Sequence, residues 1–263
     1  MRKNHLPFLL SLWKANLLAA MEFRASFITQ SLGMILNDAA YFAVWIIFFD
    51  RFKDVNGWGM RDMGIIFGIA AAAFGLGVML FGNAPLLSDI IAKGQLDYYL
   101  SLPRPPLLHA LASRSTASGI GDLLYGVLSF LVFSRPLTWD SILRFVVGVL
   151  LAGIVFIAFL VLVHSLTFWV GNAAYLGGLA LNAIITFAIY PITLFQGSAK
   201  FILFTLIPAA LIGAVPAAFA AQFNWFTLFQ LAGGALLFAL LAVGTFQLGL
   251  RRYESGSAIN VNA

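Results

Sequence analysis

The stretch Lys93–Pro106, KGQLDYYLSLPRPP, is a polar island between two long apolar runs, and its reading decides how the rest of the chain is laid out. On either side the sequence offers apolar residues long enough to cross a hydrocarbon core about 30 Å thick, which takes roughly 20 residues of helix. Both flanking runs therefore read as membrane spans, and the island as the segment that joins them on one face of the bilayer. Working outward, Pro85–Leu100, PLLSDIIAKGQLDYYL, predicts a short helix turned out of the membrane. Leu86, Leu87, Ile90 and Ile91 form its apolar face, with Asp89 and Lys93 opposite. Gly94 should end or bend that helix, and Pro103, Pro105 and Pro106 should stiffen the return into the next span.

Composition supports the same class. Of 263 residues, 62% are hydrophobic and 10% charged, and the mean hydropathy is +0.96, whereas a soluble domain carries about 25% charged residues. No segment is polar enough for a separate soluble domain, so one polytopic all-α membrane domain, 1–263, is expected. The net charge of +5 does not point to nucleic acid, because the fifteen Lys and Arg are scattered in ones and twos between apolar segments, as topological signals are. Cysteine is absent, which removes disulfides, thiolate metal sites and a cysteine nucleophile.

Six spans are expected, at about Ala25–Phe49, Met63–Ala84, Leu107–Phe133, Ile142–Val170, Ala173–Phe195 and Phe226–Leu250. Before them, residues 1–24 read as an amphipathic interface helix. Leu6, Leu9, Leu10, Trp13, Leu17 and Met21 recur at helical spacing, and Lys14 interrupts the apolar run too early for a secretory leader. The stretch Lys200–Ala221, within 198–222, is apolar but carries Pro208 and Pro216, each of which removes a backbone donor. A re-entrant or broken segment is expected there. Six spans place Arg2, Lys3, Lys14, Arg24, Lys93, Arg104, Arg114, Arg251 and Arg252 inside, against Arg51, Lys53, Arg61, Arg135, Arg144 and Lys200 outside. That bias puts both termini in the cytoplasm.

Catalytic signatures are missing. There is no GxxxxGK[ST] phosphate loop and no HExxH pair among His5, His109 and His164, and no GxSxG accompanies the serines. Asp38, beside Asn37, and Asp122 fall near mid-bilayer, where a carboxylate must be paired, protonated or facing water. They read either as a substrate path or proton relay, or as polar glue between helices. His164 reads as a hydrogen-bonded interior residue, and Tyr190 with Pro191 precedes the broken segment. Gly64 and Gly68 form a GxxxG that Ala72, Gly75 and Gly77 continue. They permit close helix contact, within the chain or across a dimer seam.

The chain resembles the permeases of ABC type-2 exporters, particularly a bacterial subfamily of about this length. The resemblance rests on GxLDxxLxxP at Gly94, Leu96, Asp97, Leu100 and Pro103, with Pro106 after it. It rests also on Tyr190, Pro191, Pro208 and Pro216, and on the tail LRRYESGSA, Leu250–Ala258. It implies that a coupling helix between spans two and three, within 85–106, docks on a separate ATPase subunit through Asp89, Lys93, Gly94, Leu96, Asp97, Leu100 and Pro103. It implies a second permease chain, identical or a sister, and a place in the bacterial cytoplasmic (inner) membrane. The function implied is outward transport of an unidentified substrate by an assembly in which this chain is not itself an enzyme. The chain would bind no cofactor, with ATP and Mg held by the partner. Asn37, Asp38, Asp122, His164 and Tyr190 are then candidates for the substrate path or for polar contacts inside the membrane. The alternatives are a proton-coupled secondary transporter working through Asp38 and Asp122, or a membrane scaffold that transports nothing.

Overall fold

A computed structural model describes residues 5–254. Arg2, Lys3 and the end of the tail motif, Ser255–Ala258, lie outside the described residues. Thirteen α-helices follow one another among the described residues, and the one β contact there is an isolated bridge between Val55 and Trp58.

Helix α1, His5–Glu22, breaks at Phe23 and leads into α2, Arg24–Arg51. Only Leu9 of the first helix's apolar positions is buried against the protein; Leu6, Leu10, Leu17 and Met21 stay exposed. A stripe left open in this way suits a helix lying in the plane of the headgroups. Helix α3, Met60–Leu80, begins where the Asp62 carboxylate accepts from the Gly59 backbone N–H at 2.9 Å. Its sequence is apolar all round, and most of it is buried.

Among the described residues four helices are long and apolar enough to cross a membrane: α2, α3, α13 (Trp225–Leu250), and α8 (Trp139–Ser165) continued by the single turn α9 (Thr167–Val170). Helix α11 (Gly197–Thr205) and the stretch Ala209–Ala221, which ends in α12 (Ala214–Ala221), make a fifth if taken as one bent span, with 63° between the two arms. Two shorter apolar helices, α7 (Ser118–Phe133) and α10 (Ala174–Ala188), complete the bundle. Helix α8 is its axis, with α3, α10, α12 and α13 packed around it.

The glycine series of α3 packs within the chain. A Cβ built on Gly75 would meet the Gly119 carbonyl at 2.4 Å, and one on Gly126 would meet the Gly68 carbonyl at 2.4 Å. Backbone thus lies against backbone along an antiparallel α3–α7 pair, the small-residue contact that membrane helices use when no hydrophobic force separates protein from lipid.

Three expected elements differ. The run Leu107–Phe133 is two helices, α6 (Pro106–Ala112) and α7, parted at 113–117. The fifth apolar run ends at Ala188 rather than Phe195, because Pro191 disfavours helical backbone in the residue before it. Of the two prolines in the broken segment, only Pro208 interrupts helix. Pro216 sits in the first turn of α12, where its missing N–H would have had no partner in any case.

Candidate functional site

Two turns of helix replace the single one expected over Pro85–Leu100. A short 3₁₀ turn at Ala84–Leu86 leads into α4 (Leu87–Ala92), and α5 (Leu96–Leu100) follows after a reversal at Gly94, whose φ of +70° is one that side-chain-bearing residues rarely adopt. Leu87, Ile90, Ile91 and Leu96 are buried in the main apolar core, so the underside of the segment is held firmly on the bundle. On its outer side Lys93 pairs with Asp89 at 3.3 Å, while Tyr98 and Leu100, 63% and 42% exposed, face away from the core. Asp97 is half-buried and its backbone helps to close the turn, with the Asp97 N–H donating to the Gly94 carbonyl at 3.2 Å. Of the motif residues, Leu96 thus packs inward, Gly94 supplies the turn, and the exposed surface includes Lys93, Leu100 and Tyr98, the last of which the motif does not mark. Pro103 lies in the return toward α6.

Long-range polar contacts fix the neighbourhood of this segment. Asn83 Nδ2 donates to the Ala110 carbonyl at 2.8 Å, and the Gly82 N–H to the Arg114 carbonyl at 2.9 Å. Helix α1 is tied in as well: Trp13 Nε1 donates to the Leu80 carbonyl at 2.8 Å and Asn16 Nδ2 to the Ala112 carbonyl at 2.9 Å. The Phe8 ring sits edge-on to His109 at 4.9 Å with the Arg104 guanidinium 4.8 Å from its centre, and Tyr99 meets the same histidine at 5.3 Å.

Beneath α4 lies the most deeply buried polar contact of the bundle. Ser88, fully buried, holds its Oγ 2.7 Å from His164 Nδ1 and 3.3 Å from the His164 carbonyl. The His164 ring is itself pressed against α10, since a Cβ on Gly177 would fall 2.2 Å from it.

The remaining candidates separate into those brought together and those left apart. Asp38 on α2 and Asp122 on α7 come within hydrogen-bonding reach of each other, and Asp122 is buried. Asn37, next in sequence to Asp38, points to the exposed face of α2 and takes no part. Tyr190 stands at the far end of the molecule, its ring edge-on to Trp45 at 5.7 Å. An apolar cleft of ≈ 610 Å³ opens between α3, α6, α8 and α13, lined by residues such as Leu76, Pro106, Ile157 and Phe246, with Gln247 among them.

Against known families, residues 35–257 match the one described as ABC-2 family transporter protein. The chain belongs to that family. No curated protein and no solved structure matches it. As an ABC-2 transporter it is a multi-pass membrane protein whose family lacks an ATPase domain, and membership implies an ATPase partner. Helix α1 precedes the matched residues. In this ABC-2 chain the sequence had marked Asp38, Asp122 and His164 singly, without the contacts that join them to other helices. Ser88, Asn83 and Asn16 went unmarked, and Trp13 was marked only for its apolar ring, since a lone hydroxyl, amide or indole N–H in an apolar run has no signature until its partner is known.

Proposed function

We propose that this chain is the permease subunit of an ATP-driven exporter. A separate ATPase subunit docks on Asp89–Leu100, and a second permease chain completes the transport unit. Helices α2, α3, α7, α8, α10 and α13 serve as six spans, α11 and α12 form a re-entrant hairpin on the outer side, and both termini lie in the cytoplasm of a bacterial cell. Helix α1 lies at the inner headgroups, and the whole chain is one domain. The observation that supports this most is the construction of α4 and α5: an apolar underside locked into the core and a polar, aromatic outer side, placed where two spans are joined. A segment built this way suits receiving a push and passing it on, and the chain has no phosphate loop with which to generate one. ATP and Mg would belong to the partner; substrate movement is outward, with the cargo left open.

The test is co-purification. Reversing Lys93 to Glu, or replacing Asp97, should dissociate the ATPase subunit while the permease remains folded in detergent. Normal co-purification and transport by both variants would overturn the docking assignment.

The meeting of Asp38 and Asp122 favours a second reading, a carrier driven by protons. Transport driven by a proton gradient alone, with no ATPase subunit present, would support it against the first.

A further inference from the structure

The contact beneath α4 has no task in docking, because Ser88 and His164 are buried and cannot touch a partner subunit. It does join the segment that faces the partner to two helices of the bundle. Ser88 is on α4, immediately before Asp89 of the Asp89–Lys93 pair on the outer side. His164 is in the last turn of α8, an unbroken helix from Trp139 to Ser165 that runs to the opposite end of the molecule. Its ring fills the space that a side chain on Gly177 would need, so α10 is engaged by shape where α4 is engaged by hydrogen bonding. Just beyond, Thr167 Oγ1 accepts from the Ala173 N–H at 3.2 Å and fixes the turn that leads from α9 into α10.

The hydrogen-bond pattern selects one proton arrangement. If His164 Nδ1–H donates to Ser88 Oγ, the serine hydroxyl is free to donate to the His164 carbonyl, and both short contacts are satisfied. The other ring nitrogen, Nε2, is then a bare acceptor, buried with no partner among the described residues. Sliding α4 over α8 would strip the Nδ1–H as well, leaving a second orphan in an apolar surround where water cannot replace it. Displacement of α4 is therefore resisted unless α8 and α10 move with it.

We infer that the Ser88–His164 hydrogen bond, with the ring seated on Gly177, is the mechanical link that carries movement of α4 into α8 and α10. His164 is then a positioning residue for transport, acting through α4. The inference rests on the ATPase-driven reading above.

The chain has no cysteine, so a single labelled cysteine at Trp139, 87% exposed at the far end of α8, reports on movement there. The full chain with its ATPase subunit is placed in lipid nanodiscs, and the label signal is compared without nucleotide and with ATP plus vanadate. Ser88→Ala and His164→Phe should keep the ATPase bound and hydrolysing, yet weaken the nucleotide-driven change at the label about tenfold, equivalent to about 1.4 kcal/mol. His164→Asn, whose amide nitrogen takes the place of Nδ1 but which lacks the ring atoms seated on Gly177, should retain the response at this label on α8. The two defects should not add when Ser88→Ala and His164→Phe are combined. A full response in both single variants would overturn the link. So would a loss of ATPase binding and thermal stability in step with the response, because the contact would then be structural only. A reference chain that binds no ATPase subunit at all would instead overturn the transporter reading on which the link rests.

Discussion

The two ends of this bundle rely on buried polar contacts to different degrees. At the end that carries α4 and α5, side chains reach buried or half-buried backbone across long stretches of sequence: Trp13 to Leu80, Asn16 to Ala112, Asn83 to Ala110, Ser88 to His164. At the opposite end one such buried contact, Ser129 Oγ to the Gly64 carbonyl at 2.8 Å, joins α7 to α3, while the cross-links at the rim are exposed, Asn56 Nδ2 to the Thr193 carbonyl at 3.3 Å and Arg61 Nε to the Phe133 carbonyl at 3.0 Å. There α12 is held by apolar packing on α8 and α3, and α11 turns away from it by 63° across Pro208. A hydrogen bond in a low-dielectric surround holds both distance and direction, while apolar contact tolerates sliding. One end is suited to transmit a displacement and the other to yield to it.

The largest break in this comparison should come from charge reversal. Lys93→Glu should abolish recovery of the ATPase subunit on affinity purification, whereas Lys200→Glu, exposed on α11 at the other end, should leave recovery unchanged. Equal loss from both would erase the distinction between the ends. Next in size is overpacking of the α3–α7 seam. Gly75→Leu drives a side chain into the Gly119 backbone and should cost about 1–3 kcal/mol or more, seen as loss of monodisperse protein in detergent. Gly233→Leu, with nothing within 4 Å, should behave like the parent chain.

Smaller effects follow. Asn83→Ala removes a buried donor and leaves the Ala110 carbonyl unmet, which should lower stability by about 1–3 kcal/mol in a thermal melt. Asn56→Ala, at an exposed contact, should fall within about 0.5 kcal/mol of the parent. The least change is expected from Asp38→Asn. The amide is isosteric with the carboxylate and can donate to Asp122, so ATP-driven transport should persist if the pair is glue between α2 and α7. Loss of transport with normal ATPase binding would move the pair onto the substrate path.

Much of the fold was legible because the bilayer demands long apolar helices and punishes exposed backbone. The reversal at Gly94 and the interruption at Pro208 both carried recognisable residues. The break at 113–117 did not, since it holds neither proline nor glycine. Hydroxyl residues occupy it instead: Ser113 Oγ donates to the His109 carbonyl at 2.6 Å, and the freed backbone groups bond to the end of α3, Thr116 N–H to the Val78 carbonyl at 3.1 Å. The candidate site was legible as a segment, from its motif and its polarity. Its inner workings were not, because Asp38 with Asp122, and Ser88 with His164, are distant in sequence and each pair is defined only by the packing of helices that hydropathy cannot orient. Tyr98 was missed for the opposite reason: the repeated aromatic in YY marks no position until the turn at Gly94 decides which ring faces outward.

The most direct measurement is of hydrolysis in the complex recovered through this chain from native membranes. The account predicts that a distinct ATPase subunit comes with it, that the complex hydrolyses ATP in a vanadate-sensitive manner, and that Lys93→Glu abolishes both the recovery and the activity. Recovery of a chain that moves its substrate on a proton gradient alone, with no ATPase subunit and no effect of vanadate, would contradict it.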